Sequence, residues 1–516
     1  MPSKKDDSIE EKEDEIINEV IAENTRLQKE EHNEVTPEVN KIIKILEEYL
    51  IKKQSICYGG TAINNILPKL AQFYNREKDV PDYDFYTKTA YEDCLELADL
   101  FYNKGYTEVE AKSGFHYNTF KVFVNQIPIA DITYLEEHLF NALKKQSIKI
   151  AGIYYSAPNW LRMNMHLELS RSKGYVDRWA KVYKRLSLLN KHFPLKIPKP
   201  IMNSCTAESL YADSLKLMPV PDTDAATDIY EKIHYLTRDS LISQKCVFFG
   251  SFAASFYLNE DTEATATTKT FMKKTGNFNV FHENIEECAK NLQQILKDAG
   301  IAKITTLHQD QVIDVSPETI HVLYAKEVIA SICRPVACHN WNELTVNKTS
   351  IRIATIDTML NFLLLLTFIN PFKKLKQRFL CISSFLFDLE EKIRVNGKGI
   401  FKRFTYTCIG EQPTLESVRL EKTNKHKELA GDPTSLEYKK WFLKYNPADK
   451  NKPKKNTKPK PKPSFNKSKY NSAYSHTQEN SAENFNNMNR TFRPRRRHRH
   501  HRRTVKSYRT RPGYLY

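Results

Sequence analysis

The sequence predicts an α/β (α+β) protein with two tandem domains, each a central mixed sheet flanked by helices, followed by a basic tail. Three observations support this prediction. Strand-like and helix-like runs alternate along the chain, the order of landmarks repeats once, and the composition changes after residue 446. We therefore expect four regions: a charged, partly helical segment at 1–35, domains at 36–200 and 201–446, and a disordered tail at 447–516.

The first domain is predicted to begin with a helix. Thr36 can cap this helix, and Pro37 suits its first position. A short strand at 56–58 then leads into a Gly59-Gly60 turn. The elements predicted after it are a helix from about Thr61, strands at 82–86, 117–123 and 127–134, a helix at 91–103, and helices from Pro158 to about Asn190.

The second domain repeats the landmarks of the first in the same order, at similar spacing. The matched segments are Gly59-Gly60 with Gly250-Ser251, Asp82 with Asn277, Asp84 with Asn279, Glu92-Asp93-Cys94 with Glu286-Glu287-Cys288, and Asp131 with Ser331. We interpret this order as an internal duplication. Because Asn277, Asn279 and Ser331 replace all three acids, the second copy is predicted to be degenerate.

The net charge of +17 is concentrated in the tail. Residues 449–516 contain 20 Lys and Arg but only 3 acids, so the rest of the chain is neutral. Lys-Pro repeats at 458–463 and the Arg-rich run at 493–503 lack the apolar residues needed to fold alone. Such a tail indicates a polyanionic partner.

The cysteines and the apolar runs exclude several classes of protein. The nine cysteines include no C-x-x-C pair, and the spacing of Cys333, Cys338 and His339 matches no zinc motif. We therefore expect buried thiols in a reducing compartment. The start of the chain is charged and unlike a secretory signal. The most apolar run, 359–369, is too short to span a membrane, which favours a buried helix.

Three acids form the candidate catalytic and metal-binding set. Asp82 and Asp84 alternate on a predicted strand, so their carboxylates share one face. Asp131 lies in an otherwise apolar strand, where a carboxylate needs a partner. Neighbouring carboxylates repel each other unless a cation lies between them, and Mg²⁺ prefers oxygen ligands shared with phosphates. Separately, each acid also fits a solvated strand edge.

The Gly59-Gly60 turn is the candidate phosphate-binding element. Two glycines let backbone N–H groups approach a phosphate at a helix start, and Thr61 adds a hydroxyl. Four basic residues further along share one face of a predicted helix and are candidates for contacting triphosphate or RNA, with a solvated face as the alternative: Arg178, Lys181, Lys184 and Arg185.

Together these motifs resemble those of a known family. A Gly-Gly turn, then D-h-D about 22 residues later, then a third Asp in an apolar strand is typical of polymerase-β-like nucleotidyltransferases. The motifs at 58–64, 82–86 and 130–134 resemble the catalytic subunit of viral poly(A) polymerases, of the mimivirus-like type and, more distantly, the poxvirus type. The resemblance covers residues 36–445.

The resemblance implies an activity, partners and roles for residues. It implies addition of AMP from ATP to a single-stranded RNA 3′ end, with two Mg²⁺ or Mn²⁺ ions. It also implies a location in the virion and the host cytoplasm. It implies that Asp82 and Asp84 bind both ions and that Asp131 binds the catalytic ion. It further implies triphosphate binding by Gly59, Gly60 and Thr61, and it makes a homodimer plausible. The tail has no counterpart in the poxvirus pattern.

Other functions fit parts of the same evidence. A uridylyltransferase or a mixed-nucleotide polymerase would use the same acids, because the residues that select adenine are not legible in the sequence. A non-catalytic RNA-binding scaffold would explain the second domain but not the three acids of the first. A small-molecule nucleotidyltransferase would have no use for the basic tail.

Overall fold

The computed structural model describes residues 16–21, 23–24, 35–197, 224–257, 277–311, 316–346, 348–369, 373–396 and 401–451. Residues 16–21 are helical and exposed. The Pro-rich boundary near residue 200 and the tail beyond residue 451 lie outside the described residues, so the predictions made for them stay predictions.

The first set of elements runs from residue 37 to residue 192. It comprises α1 (Pro37–Lys53), β1 (Ile56–Tyr58), α2 (Gly59–Ile66), β2 (Tyr83–Thr87), α3 (Ala90–Asn103), β3 (Val109–Ser113), β4 (Thr119–Val124), β5 (Ile127–Tyr134), α4 (Glu137–Gln146), β6 (Ile148–Ile150), β7 (Ile153–Tyr155), α5 (Pro158–Leu169) and α6 (Trp179–His192). As predicted, the Thr36 side chain caps α1 by accepting a hydrogen bond from the Val39 amide at 3.2 Å.

The second set runs from residue 224 to residue 445. It comprises α7 (Asp224–Ser243), β8 (Val247–Phe249), α8 (Ser251–Tyr257), β9 (Phe278–Phe281), α9 (Ile285–Asp298), β10 (Ile304–Gln309), β11 (Thr319–Tyr324), β12 (Glu327–Cys333), β13 (His339–Val346), β14 (Thr349–Ala354), α10 (Ile356–Ile369), α11 (Lys373–Asn396), β15 (Cys408–Ile409), α12 (Leu415–Leu429), α13 (Leu436–Phe442) and β16 (Lys444–Tyr445).

The strands form two eight-stranded sheets with nearly the same order. One is β16-β3-β4-β5-β2-β1-β7-β6, and the other is β10-β11-β12-β9-β8-β14-β13-β15. Seven strands of each sheet correspond one to one. At the centre of each sheet is an antiparallel pair of strands, β1–β2 in the first and β8–β9 in the second. Each strand of this pair also pairs in parallel with its outer neighbour.

The agreement extends to the register of individual residues. Asp84 pairs with Asp131 in the first sheet, and Asn279 pairs with Ser331 in the second. The edge hairpins even share an irregularity, because the register shifts after Val122 in one sheet and after Val322 in the other. The predicted duplication of one mixed-sheet layout is therefore confirmed at the level of the fold.

Helices α5 and α10, one from each set, pack against each other and join the two cores. Eleven of the fourteen residues of α10 are buried, as predicted for the apolar run at 359–369. Asn361 donates a hydrogen bond to the Met163 carbonyl at 3.1 Å, and Trp160 stacks edge-on against Phe368. Among the described residues, no helix combines the length and the apolarity that crossing a membrane requires.

The expectation of buried thiols is wrong for three of the described cysteines, because Cys381 is disulfide-bonded and Cys338 and Cys408 are bonded to each other. Cys338 and Cys408 form a disulfide across 70 residues of sequence. They meet because β15 pairs antiparallel with the start of β13, and Asn340 lies opposite Cys408. No local spacing could reveal this pairing. The described cysteines that are free and buried, as expected, are Cys57, Cys94, Cys246, Cys288 and Cys333.

Candidate active site

The three predicted acids come together at the centre of the first sheet. Asp84 and Asp131 are register partners on the adjacent parallel strands β2 and β5. The prediction that Asp82 lies on the strand is wrong. Asp82 lies immediately before β2, which begins at Tyr83. The strands carry the acids to this point because their intervening residues, including Tyr83 and Phe85, are buried in the core.

Crowding and burial make these carboxylates hard to ionise. Burial, reinforced by the Asp131 carboxylate, raises the pKa of Asp82 to about 6. Burial and the charges of Asp82 and Asp131 raise the pKa of Asp84 well above its ordinary value. Burial also raises the pKa of Asp131, although Lys121 opposes this effect. The site therefore lacks enough positive charge of its own to balance three ionised acids.

Lys121 is a site residue that the sequence analysis missed. It lies on β4, opposite Asp131 in the antiparallel β4–β5 pair, and forms an ion pair with the Asp131 Oδ2 atom. A signal was present, because Phe120, Val122 and Val124 alternate as buried residues and leave Lys121 on the other face. The pairing of β4 with β5 was needed to put that face beside Asp131.

The carboxylates fit a hard cation. Asp131 Oδ1 is buried and has no hydrogen-bond partner among the described residues, although its other oxygen binds Lys121. A buried carboxylate oxygen without a partner carries a large desolvation penalty, which a bound cation removes. Oxygen-only ligands on three adjacent acids are the type that Mg²⁺ and Mn²⁺ accept. The residues able to hold such ions are Asp82, Asp84 and Asp131.

The Gly59-Gly60 turn closes one side of this cluster. Helix α2 begins at Gly59 rather than at Thr61, and Gly59 has a φ of +72°. A methyl group on Gly59 would overlap Asp84 Oδ2, so only glycine allows this close approach. The Thr61 hydroxyl donates to the Asp82 carbonyl at 2.6 Å. In this structure Thr61 thus positions the backbone of a catalytic candidate.

Of the four basic residues singled out in the sequence, Arg185 lies nearest the turn. A side chain on Gly60 would meet its guanidinium at 3.0 Å. Arg185 donates a hydrogen bond to the Tyr74 hydroxyl and stacks on Phe73. Arg178 instead lies before α6 and pairs with Glu168 at 3.3 Å. Lys181 and Lys184 are exposed, so the four residues do not form one functional face.

The equivalent position in the second sheet has kept the framework and lost the acids. Gly250 has a φ of +84° and approaches Asn279 as Gly59 approaches Asp84. Ser331 contacts His321, its Oγ lying 2.9 Å from His321 Nδ1, where the first sheet has Asp131 and Lys121. Without carboxylates, this pocket offers no comparable ligands for a hard cation.

Comparison with known proteins agrees with this geometry. Residues 44–173 match the family model described as poly(A) polymerase catalytic subunit. A predicted poly(A) polymerase catalytic subunit of African swine fever virus (strain Badajoz 1971 Vero-adapted) is 29 % identical over 176 residues, covering 33 % of this chain and 36 % of that protein. One from Acanthamoeba polyphaga mimivirus is 27 % identical over 280 residues, covering 50 % and 44 %.

The fold comparison extends over most of the chain. The crystal structure of the Megavirus polyadenylate synthase superposes with a TM-score of 0.68 and 18 % identity, covering 87 % of this chain and 88 % of that one. At this identity the superposition shows a shared fold. The matched regions span less than half the length of the two curated relatives. With the family match over the acid-bearing strands, these findings show that the chain is similar to viral poly(A) polymerase catalytic subunits.

Proposed function

We propose that this protein extends the 3′ end of single-stranded RNA with AMP from ATP, without a template, by two-metal-ion nucleotidyl transfer. The observation that carries the proposal is the convergence of Asp82, Asp84 and Asp131 beside the Gly59-Gly60 turn, within the segment that matches the family. The activity of the family supports ATP and RNA as the substrates.

The acids supply the ligands in this proposal. Asp82 and Asp84 would hold both divalent ions, and Asp131 would hold the ion nearest the RNA 3′-hydroxyl. When bound, such ions lower the pKa of the attacking hydroxyl and neutralise the leaving pyrophosphate. Lys121 keeps one Asp131 oxygen engaged, which fixes the carboxylate so that its free oxygen, Oδ1, is available.

The turn and Arg185 form the triphosphate end of the proposed site. Close approach at Gly59 leaves backbone N–H groups accessible to phosphate oxygens at the start of α2. Arg185 adds a fixed positive charge within reach of Gly60, held by Tyr74 and Phe73. Thr61 contributes by holding the Asp82 backbone.

We propose that the second sheet has no catalytic activity. Its Asn277, Asn279 and Ser331 replace the acids, which leaves RNA binding or contacts between subunits as its roles. A homodimer stays a prediction, as do the virion and host cytoplasm as locations. We propose that the basic tail contacts RNA phosphates, which its excess of 17 positive charges favours.

A primer-extension assay tests the proposal directly. The full-length protein is incubated with a labelled RNA primer, Mg²⁺ or Mn²⁺, and each of the four NTPs separately. Extension with ATP alone supports a poly(A) polymerase. Extension with UTP, or equally with all four, supports the uridylyl or mixed-nucleotide alternative. RNA binding without any extension supports the non-catalytic scaffold.

A further inference from the structure

Three side chains with soft metal ligands meet in the second set of elements, away from the three acids. Cys246 directly precedes β8, His282 directly follows β9, and Cys288 lies in the first turn of α9. One ligand atom from each lies within 4.8 Å of those of the other two. The two sulfurs are 3.6 Å apart, both cysteines are buried, and His282 is half-buried.

The duplicated fold shows which residues occupy these positions in the first sheet. Val247 pairs with Phe281 as Ile56 pairs with Tyr86, so Cys246 corresponds to Ser55 and His282 to Thr87. The Cys288 amide donates to the Asn284 carbonyl at the start of α9, as the Asp93 amide donates to the Thr89 carbonyl at the start of α3. Cys288 therefore corresponds to Asp93, and the match of Cys288 with Cys94 predicted from the sequence is wrong by one residue.

In the first sheet two of these positions, Thr87 and Asp93, belong to a hydrogen-bonded ionic cluster, whereas the buried Ser55 hydroxyl has no hydrogen-bond partner among the described residues. The Asp93 carboxylate accepts from the hydroxyls of Thr87 and Thr89 and forms an ion pair with Lys53 at 2.8 Å. The second sheet lacks both charges of that pair. Neutral Gln244 stands at the position of Lys53 and donates to the Cys288 carbonyl. Between the two copies, Lys53 is thus replaced by neutral Gln244, while the Asp93 carboxylate and the hydroxyls of Thr87 and Ser55 are replaced by two thiols and an imidazole.

His282 is oriented as a metal ligand commonly is. Its Nδ1 atom lies 2.7 Å from the Asn284 carbonyl oxygen and 3.1 Å from the Asn284 amide nitrogen, so the carbonyl is the closer partner. In the tautomer that donates Nδ1–H to this carbonyl, Nε2 carries the lone pair and is available to a metal ion. Such a second bond is the usual support for a metal-bound imidazole.

We propose that Cys246, His282 and Cys288 bind one Zn²⁺ ion, with a water molecule as the fourth ligand. Zinc favours tetrahedral sites with sulfur and nitrogen donors, and two thiolates balance its charge in a buried setting. On binding, the two S–H protons pass to solvent as two Zn–S bonds form. The ion would tie β8, β9 and α9 together, as the Lys53–Asp93 ion pair does for α1 and α3.

The proposed ion differs chemically from those of the catalytic candidates. Asp82, Asp84 and Asp131 offer only oxygen atoms, which suit hard cations such as Mg²⁺. Thiolate and imidazole select zinc over magnesium. Chelators specific for soft metals should therefore act on this site without competing for the carboxylate site.

The test measures metal in the untagged full-length protein. We expect about one zinc per chain, released when thiols are modified, and replacement by Co²⁺ should give the near-ultraviolet absorption of thiolate bound to cobalt. Cys246→Ser and Cys288→Ser should abolish that absorption, and His282→Ala should weaken metal affinity. Cys333→Ser, a free and buried cysteine on β12, is the matched control and should leave it unchanged.

Two features keep the test decisive. Histidines 498, 500 and 501 of the tail can hold adventitious zinc, but they cannot produce the thiolate absorption of cobalt. If the cysteine variants fail to fold, two experiments replace them. One is the His282→Ala variant, at a half-buried position, and the other is a chelator titration of the wild-type protein monitored by its melting temperature. Absence of the thiolate absorption in the wild type, its persistence in Cys246→Ser, or a Cys246–Cys288 disulfide in freshly isolated protein would each overturn the proposal.

Discussion

Asp84 and Asp131 face each other on adjacent parallel strands, and the corresponding pair in the second sheet is Asn279 and Ser331. The same strand register therefore holds two acidic side chains in the first copy and two neutral side chains in the second. This contrast separates what the acids contribute to chemistry from what they contribute to folding.

Removing one carboxylate should abolish catalysis without unfolding the protein. We expect Asp84→Asn and Asp82→Asn to lower the rate of primer extension at least about a thousandfold, which equals about 4 kcal/mol of transition-state stabilisation. The reason is the loss of an oxygen ligand at constant side-chain size. Single-turnover extension measures the effect, and Asp239→Asn, at an exposed acid of α7, is the control. Near wild-type extension by Asp84→Asn would show that the site is misassigned.

The raised pKa of Asp82, about 6, predicts how stability and metal binding depend on pH. Its folded-state pKa exceeds the unfolded value of about 4, so ionisation destabilises the metal-free protein. This penalty is absent below about pH 4, develops between pH 4 and 6, and is complete above pH 6. Metal-free Asp82→Asn should therefore be more stable than wild type above pH 6 and equally stable near pH 4.

Urea unfolding in the presence of a chelator measures this stability difference. In the same range Mg²⁺ must compete with protons, so its apparent affinity should fall below about pH 6, by up to tenfold per pH unit for each proton displaced. An affinity for Mg²⁺ that does not change between pH 5 and 8 would contradict the assignment of Asp82 as a ligand.

Substitution of three glycines with similar backbone angles separates the cost of backbone strain from the cost of steric overlap with a neighbouring side chain. Gly59, Gly250 and Gly300 have φ values of +72°, +84° and +81°, but a methyl group would meet Asp84 at Gly59, Asn279 at Gly250 and nothing within 4 Å at Gly300. Gly300→Ala should cost about 1 kcal/mol of unfolding free energy from backbone strain alone. Gly250→Ala should cost more and leave the rate of extension by the folded protein intact.

Gly59→Ala should lose extension as well as stability, since its new methyl group displaces the Asp84 carboxylate. Denaturant unfolding and primer extension on all three variants measure these effects. Equal losses of activity for Gly59→Ala and Gly250→Ala would mean that the turn has no special role in catalysis.

A buried ionic cluster joins the two sets of elements. Arg403 donates to Asp357 at 2.7 and 2.8 Å and pairs with Glu390, while His166 of α5 lies 2.8 Å from Asp357. Burial alone would raise the pKa of Asp357, but Arg403 and His166 outweigh burial and hold it well below its ordinary value. Arg403→Met should therefore cost about 3–5 kcal/mol, because it leaves buried acids without their cation.

A matched arginine on the surface provides the control. Arg334 pairs with Glu318 and Glu286 at partly exposed positions, so Arg334→Met should cost at most about 1 kcal/mol. The stability that Asp357 contributes is present above its unfolded pKa of about 4 and is lost as the pH falls below that value. Urea unfolding at pH 7 and pH 4 should show the difference between Arg403→Met and wild type narrowing at the lower pH.

Truncation after Pro447 tests the basic tail. The shortened protein should still add the first few adenylates, but with weaker RNA affinity, lower processivity and a shallower salt dependence. Each phosphate that is no longer neutralised removes about 0.7 from the salt slope on a single strand. Filter binding across a salt series measures the slope, and the alternative roles in localisation or virion packaging predict identical slopes for both proteins.

Local signals in the sequence were sufficient for much of the fold. The Thr36 cap, a buried helix at 359–369 and the degenerate second copy were all predicted from caps, apolar runs and the order of motifs. These features depend on residues that are near one another in the chain. The three acids were likewise predicted as a set from local motifs, although Asp82 precedes β2 and does not lie on the strand.

The sequence by itself determined two copies of one layout, an acid-bearing first copy and the charged tail. Only the tertiary structure decided that Lys121 faces Asp131, that Cys338 pairs with Cys408, and that His282 lies between Cys246 and Cys288. Each of these contacts joins separate elements. Such contacts depend on strand order, register and helix packing, which are set by burial of the whole core, and local periodicity carries no record of them.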